Sequence, residues 1–229
     1  MIFLDLLFPP KTNCILCGKM IREGKICDDC ESKLPFISGN TCIVCGKPID
    51  TGEKCPDCME YKHIFSRSIS AFEYDETMKS LIARFKYYKE RNLSEFFAEY
   101  MYKYIKDADI KFDVIVPVPL HRTKLDERGY NQAELLAREL SYRFDIIMSK
   151  PLRRIRNTKS QTEFSREERM KNLKGAFKVV YEDMVKNKII LLVDDVLTTG
   201  STLDECAKVL KEGGAKDVFA TTIATGRNV

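Results

Sequence analysis

The sequence predicts an α/β protein, a parallel sheet flanked by helices, preceded by a small module that cysteines rather than a core hold together. Three observations carry this. Residues 189–193, Ile-Ile-Leu-Leu-Val, are an uninterrupted apolar run suited to a strand buried on both faces. Asp194 and Asp195 stand at its carboxyl end, followed by Thr198-Thr199-Gly200-Ser201-Thr202 and an amphipathic helix with Leu203, Cys206, Ala207 and Leu210 at i, i+3, i+4 and i+7. Eight of the nine cysteines fall within residues 14–58.

A chain of 229 residues accommodates one medium domain and a small module, and the expected division is 1–62 and 63–229. The 44% hydrophobic and 31% charged content describes a globular protein. No run of 18 apolar residues predicts membrane insertion. The opening M-I-F-L-D-L-L-F-P-P lacks a basic start and contains Asp5, which argues against a signal peptide. Net charge of +4 permits an anionic partner without requiring one. Nine cysteines without an export signal predict a reducing, cytoplasmic setting, where thiols bind metal more often than they pair.

The cysteines form four C-x-x-C pairs: Cys14/Cys17, Cys27/Cys30, Cys42/Cys45 and Cys55/Cys58. Each recurs 28 positions later, which makes two copies of a 17-residue unit. So short a unit cannot bury a useful core. Two knuckles converging tetrahedrally on one Zn²⁺ would hold it, with Gly18 and Gly46 allowing the tight turns. A site with no open position makes such zinc structural. Local pairing predicts one ion per repeat; crossed pairing, iron and disulfides are the alternatives.

In the second part, residues 68–74 read as a strand leading into Asp75 as helix N-cap. Met78, Leu81, Ile82 and Phe85 then mark one buried helix face, and Phe97, Tyr100, Met101 and Tyr104 another after Asn92. Helical spacing assigns that aromatic stripe to core packing rather than to base stacking. Residues 112–118 are a second buried-type strand, and Pro117 and Pro119 stiffen its exit toward Leu120, His121 and Arg122. That exit suits a second phosphate loop, in which His121 is either an anion ligand or a cap. Arg128-Gly129-Tyr130-Asn131-Gln132 opens the next helix, where Asn131 and Glu134 match a capping box and Ala133, Leu136, Ala137 and Leu140 form the buried stripe.

Residues 150–174 carry nine Lys/Arg against three Glu, including Arg153, Arg154, Arg156, Lys159 and Arg169, with Gln161 among the interleaved polar residues. They read as a solvated face, a flap over a phosphorylated ligand, or a track for a nucleic-acid backbone. Residues 218–223 supply a final strand after the Gly213-Gly214 stop, and Cys206 fills core.

Strand, hydroxyl loop and helix make an anion cradle. Unpaired N–H groups at the helix start, a permissive Gly200 and added hydroxyl donors suit a phosphate. Two acids beside that phosphate suit sugar hydroxyls or a hydrated Mg²⁺, so the expected ligand is a sugar phosphate.

This string resembles the signature of type I phosphoribosyltransferases for 5-phosphoribosyl-1-pyrophosphate (PRPP). The resemblance implies that Asp194 and Asp195 hold the ribose hydroxyls, with Mg²⁺ accompanying PRPP, and that Leu197, Thr198, Thr199, Gly200, Ser201 and Thr202 hold the 5-phosphate. The order of F-P-P, cysteine knuckles, Phe85-Lys86-Tyr87, V-P-V-P-L-H, R-G-Y-N-Q, T-K-S-Q-T-E-F-S-R-E-E-R-M-K-N-L-K-G-A-F and V-D-D-V-L-T-T-G-S-T resembles the ComF family of competence proteins over essentially the whole chain. That family joins a zinc module to a type I phosphoribosyltransferase-like domain. The resemblance places the pyrophosphate loop at Pro117, Val118, Pro119, Leu120, His121 and Arg122, and a flexible segment at residues 154–161. It implies handling of single-stranded DNA in natural transformation, with DNA or a competence helicase as partner of the zinc module. The alternative is an active transferase moving phosphoribose to a nitrogenous acceptor or ammonia.

Overall fold

The computed structural model describes residues 12–158 and 166–226. The expected roles of Lys159 and Gln161 lie outside the described residues. Packing divides the chain into two compact units, Met1–Pro35 and Phe36–Val229, a division that falls between the two cysteine repeats.

The first unit holds β1 (Thr12–Asn13) antiparallel to β2 (Met20–Ile21), then the short α1 (Asp28–Glu31). In the second unit the same cysteine turn recurs. Gly18 N–H donates to the Cys14 carbonyl and Gly46 N–H to the Cys42 carbonyl, both at 2.9 Å. Gly46 has φ of 72°, and a Cβ there would lie 2.5 Å from the Ser68 carbonyl oxygen, so no other residue fits.

After α2 (Pro56–Glu60), the chain enters β3 (Arg67–Glu73), α3 (Glu76–Tyr87) and α4 (Leu93–Asp107). Asp75 caps α3, its carboxylate accepting from Met78 N–H at 2.8 Å. Met78, Leu81, Ile82, Phe85, Phe97, Tyr100 and Met101 are all buried, as their spacing predicts, whereas Tyr104 is half-buried and its hydroxyl donates to the Ile37 carbonyl at 2.7 Å. Next come β4 (Val114–Pro117), α5 (Arg122–Arg128) and α6 (Gln132–Phe144). The sequence reading passed over α5. Gly129, expected at the opening of a helix, instead ends α5 in the left-handed conformation, φ 75°. Asn131 caps α6 by accepting from Ala133 N–H, and its amide donates to the Val118 carbonyl at 3.0 Å. That second bond ties the start of α6 to the exit of β4.

The basic stretch folds as β5 (Leu152–Arg154) and α7 (Arg166–Leu173), and β5 pairs antiparallel with β6 (Phe177–Val179). Then follow β7 (Ile189–Leu197), α8 (Ser201–Glu212) and β8 (Asp217–Thr225). The main sheet runs β3-β8-β7-β4 with every pairing parallel. Strand β7 continues through Asp194 and Asp195 to Leu197, beyond the apolar run, because β8 pairs alongside it as far as Thr225. Ile190 and Leu192 share a buried cluster with Leu203, Cys206, Ala207 and Leu210 of α8. Period-two alternation turns Leu191 and Val193 to the other face, where α4 and α6 pack. Cys42, Cys45, Cys55, Cys58 and Phe65 belong to the α8-side cluster, so the second cysteine repeat is continuous with the sheet's core.

Among the described residues, no helix is long and apolar enough to cross a membrane.

Candidate functional site

The eight cysteines gather as two separate groups, Cys14, Cys17, Cys27, Cys30 and Cys42, Cys45, Cys55, Cys58, with ligand atoms within 4.8 Å of one another. Pairing is therefore local. All are free thiols. Sγ separations of 3.8 Å for Cys17–Cys27 and 3.5 Å for Cys45–Cys55 exceed a disulfide. They match the edge of a tetrahedron with Zn–S near 2.3 Å, about 3.8 Å. In the second group burial drives the Cys45 thiol up, while at Cys42 the backbone N–H groups of Cys45 and Cys55 overcome burial and pull it down to about 7. Four thiolates this close ionise together around a cation, whose charge offsets their mutual repulsion. Both groups fit zinc.

The two sites differ in cover: all four ligands of the second are buried, whereas Cys17 is exposed and Cys27 and Cys30 are half-buried. Elemental analysis is expected to return two zinc ions per chain. A chelator should remove them in two phases, the exposed site first; one ion, or a single phase, would contradict this assignment.

A cleft of about 320 Å³ opens where β3, β4 and β7 end, lined by Tyr74, Val118, Pro119, Leu120, Asp194 and Asp195 among others. The acids alternate along β7. Lys86, at the end of α3, reaches Asp195 at 2.8 Å. Asp194 lies near Arg154 and the buried Cys206, and its Oδ1 accepts the Asp195 N–H at 2.9 Å. Burial, with Asp195 beside it, pushes the Asp194 carboxyl up to about 7, against the pull of Lys86 and Arg154. The Lys86 ammonium is raised by Asp195 despite its own burial.

Lys124, Arg128 and Arg169 line the same cleft. Burial lowers Lys124, and Arg154 and Arg128 lower it further, so positive charges crowd here. Arg154 donates to Thr158, and its Nε has no partner among the described residues. Arg169 Nη1 donates to Thr198 Oγ1 at 2.9 Å, joining α7 to the loop after β7.

That loop leads into α8, where Gly200 is the N-cap at φ 79°. Ser201 is buried, Thr198 is exposed, and the Thr199 and Ser201 hydroxyls lie 2.9 Å apart. A Cβ on Gly200 would fall 2.6 Å from His63 Cε1. The glycine therefore accommodates the histidine as well as the turn, a close approach the sequence does not announce. His63 Nδ1 lies 2.8 Å from Asp204 Oδ2, and Asp204 Oδ1 accepts the Ile64 N–H at 2.7 Å. Both side chains are buried.

The structure thus brings Val118, Pro119, Leu120, Asp194, Asp195, Thr198, Thr202, Arg154 and Arg169 to one cleft. Leu197, Thr199, Gly200 and Ser201 line a smaller recess that continues from it. His121 and Arg122 do not line the cleft. His121 accepts from Thr123 N–H as cap of α5, and Arg122 is exposed. Arg153 is exposed on β5, and exposed Arg156 donates to the Lys174 carbonyl at 2.6 Å. Sequence reasoning missed Lys86 and Lys124 as cleft residues. The one signal was Lys86 at the end of a well-marked helix.

A parallel sheet ending in an acid pair and a helix-capping hydroxyl loop, with cations facing the acids, defines a phosphoribosyltransferase-type domain. Residues 86–228 match the phosphoribosyl transferase domain family, and residues 3–59 match the double zinc ribbon domain. The chain belongs to the ComF/ComFC family of competence proteins. It is 31% identical to competence protein F of Haemophilus influenzae, over 90% of this chain and 86% of that one. It is 32% identical to competence protein ComFC of Bacillus subtilis, over 87% and 83%. The DNA utilization protein YhgH of Escherichia coli is 40% identical over 107 residues, 46% of each chain.

Proposed function

We propose that this protein handles incoming single-stranded DNA in the cytoplasm during natural transformation, through a domain that also binds PRPP with Mg²⁺. The observation that carries the reading is the meeting of Asp194 and Asp195 with Lys86, Lys124, Arg128 and Arg154 in one cleft beside a helix N-terminus. Acids suit ribose hydroxyls or Mg²⁺, and cations suit pyrophosphate. In this reading the loop from Leu197 to Thr202 receives the 5-phosphate at the start of α8. The exit of β4 faces the pyrophosphate, with Val118, Pro119 and Leu120 nearest. Arg153 and Arg156, outside the cleft, are available to a strand's phosphates. The relatives' names, competence protein and DNA utilization protein, support a role on DNA. Residues 1–62 serve as a zinc-binding docking module for DNA or a helicase, and residues 63–229 as the phosphate-binding part.

The charge arrangement in the cleft also favours a second reading, transfer of phosphoribose to a nitrogenous acceptor or ammonia. There the C1–N bond forms as the C1–O bond to pyrophosphate breaks, and Lys86, Lys124 and Arg128 take up the charge on the leaving group.

Fluorescence anisotropy of a labelled single-stranded oligonucleotide across a salt series, with and without Mg·PRPP, tests the first reading. Salt-dependent binding that PRPP alters is expected. No binding at low salt would overturn it, and pyrophosphate release from PRPP with ammonia would then decide for transfer.

A further inference from the structure

A second cavity, of about 270 Å³, adjoins the cleft. It shares Lys86, Lys124 and Arg128 with the cleft, and Tyr87, Lys89 and Glu127 complete its lining. Four cations therefore face one acid. Tyr87 is 64% exposed and the adjoining Tyr88 is 72% exposed, whereas Phe85 is fully buried. The core-facing stripe of α3 ends at Phe85, so packing does not account for two aromatic rings held in water immediately after Lys86, the acid pair's lysine partner.

The turn that presents them is firmly held. Arg84 Nε and Nη2 donate to the two Glu90 oxygens at 2.8 and 2.6 Å, and Lys89 between them adopts φ of 61°. The Arg128 guanidinium lies over the Tyr87 ring, 5.1 Å from its centroid. Exposed aromatic faces interleaved with cations recognise a ligand that joins flat bases to phosphates.

We propose that Tyr87 and Tyr88 form a stacking platform for the bases of single-stranded DNA, whose phosphates lie on Lys89, Lys124 and Arg128. The inference rests on the DNA-handling reading and gives it a location. It also fixes a sign. Lys86, Lys124 and Arg128 serve both cavities, so strand and PRPP compete for the same charges and each weakens the other's binding by the same factor.

The test is anisotropy of a labelled oligothymidylate with the full chain. Tyr87→Ala with Tyr88→Ala should weaken binding by about tenfold or more. The slope against salt should stay unchanged, because no phosphate contact is lost. Tyr87→Trp with Tyr88→Trp should bind like the wild type, and Lys89→Gln should reduce the slope by about one. Mg·PRPP should raise the wild-type Kd. Full-strength binding by the alanine variant, or equal losses in the alanine and tryptophan variants, would overturn the platform while leaving DNA handling intact. Competition by thymidine monophosphate as strong as by the strand at equal nucleotide concentration would reassign the site to a mononucleotide. Absence of wild-type binding at low salt would overturn both the platform and the reading beneath it.

Discussion

Asp204→Ala is expected to lower the melting temperature by about 8–16 °C. The carboxylate is buried and serves two partners, the His63 imidazole and the Ile64 N–H. Removing it takes one hydrogen-bond partner from each, and such a loss costs about 1–3 kcal/mol per group. A loss of about 4 kcal/mol in a unit of this size, at about 2–4 °C per kcal/mol, gives that range. Asp204→Asn keeps one acceptor and should fall between variant and wild type.

The consequence reaches the phosphate loop. His63 stacks on Phe65, ring centroids 4.5 Å apart, and sits against Gly200 so closely that a methyl group there would collide with it. His63 and Phe65 thus lie beneath the turn at Gly200. Asp204→Ala protein kept folded in the cold should bind PRPP more weakly than the wild type. Gly200→Ala should do the same, through the clash and the left-handed backbone together, the latter costing about 1–2 kcal/mol. A melting temperature for Asp204→Ala within 2 °C of wild type, judged against the roughly 8–16 °C expected, would show that His63 and Ile64 find other partners.

What the sequence made legible is local. The apolar run at 189–193, the acids and the hydroxyl string are contiguous, so one strand–loop–helix could be read directly. The cysteine spacing implied metal because so short a unit cannot bury a useful core of its own. Helical stripes identified core residues, Met78 to Phe85 among them, because burial follows periodicity. The rest of the site depends on tertiary convergence. Lys86 meets Asp195 across 109 positions, and His63 meets Asp204 across 141. No spacing rule reports such pairs. The basic stretch at 150–174 was legible as a whole but not residue by residue. Composition cannot say which of its cations reach the cleft, yet strand β5 turns Arg154 into it while leaving Arg153 outside, and α7 carries Arg169 to Thr198. Alternation along a strand separates neighbours that composition counts together.

Asp194→Asn with Asp195→Asn is expected to cut Mg·PRPP affinity by about 10²–10⁴-fold, measured by calorimetry. Two charge-assisted hydrogen bonds, each worth about 1.5–3 kcal/mol, are lost together. Lys86 loses its partner as well and would then be held by pyrophosphate alone. Burial raises the Asp194 carboxyl to about 7, so the protonated form is the one the folded protein favours. Its contribution to stability is complete below the ordinary carboxylate range near pH 4 and is lost as pH rises through about 7. Ligand binding runs the other way. A cation or sugar hydroxyl needs the ionised carboxylate, so wild-type affinity should fall by about tenfold for each pH unit below 7. Asp194→Asn alone should flatten both dependences and raise the melting temperature above that of the wild type at pH 8, because it removes a charge the cleft disfavours. Undiminished affinity in the double variant would place the ligand elsewhere. A melting temperature for Asp194→Asn at or below wild type at pH 8 would mean that Lys86 and Arg154 already compensate the ionised acid in full.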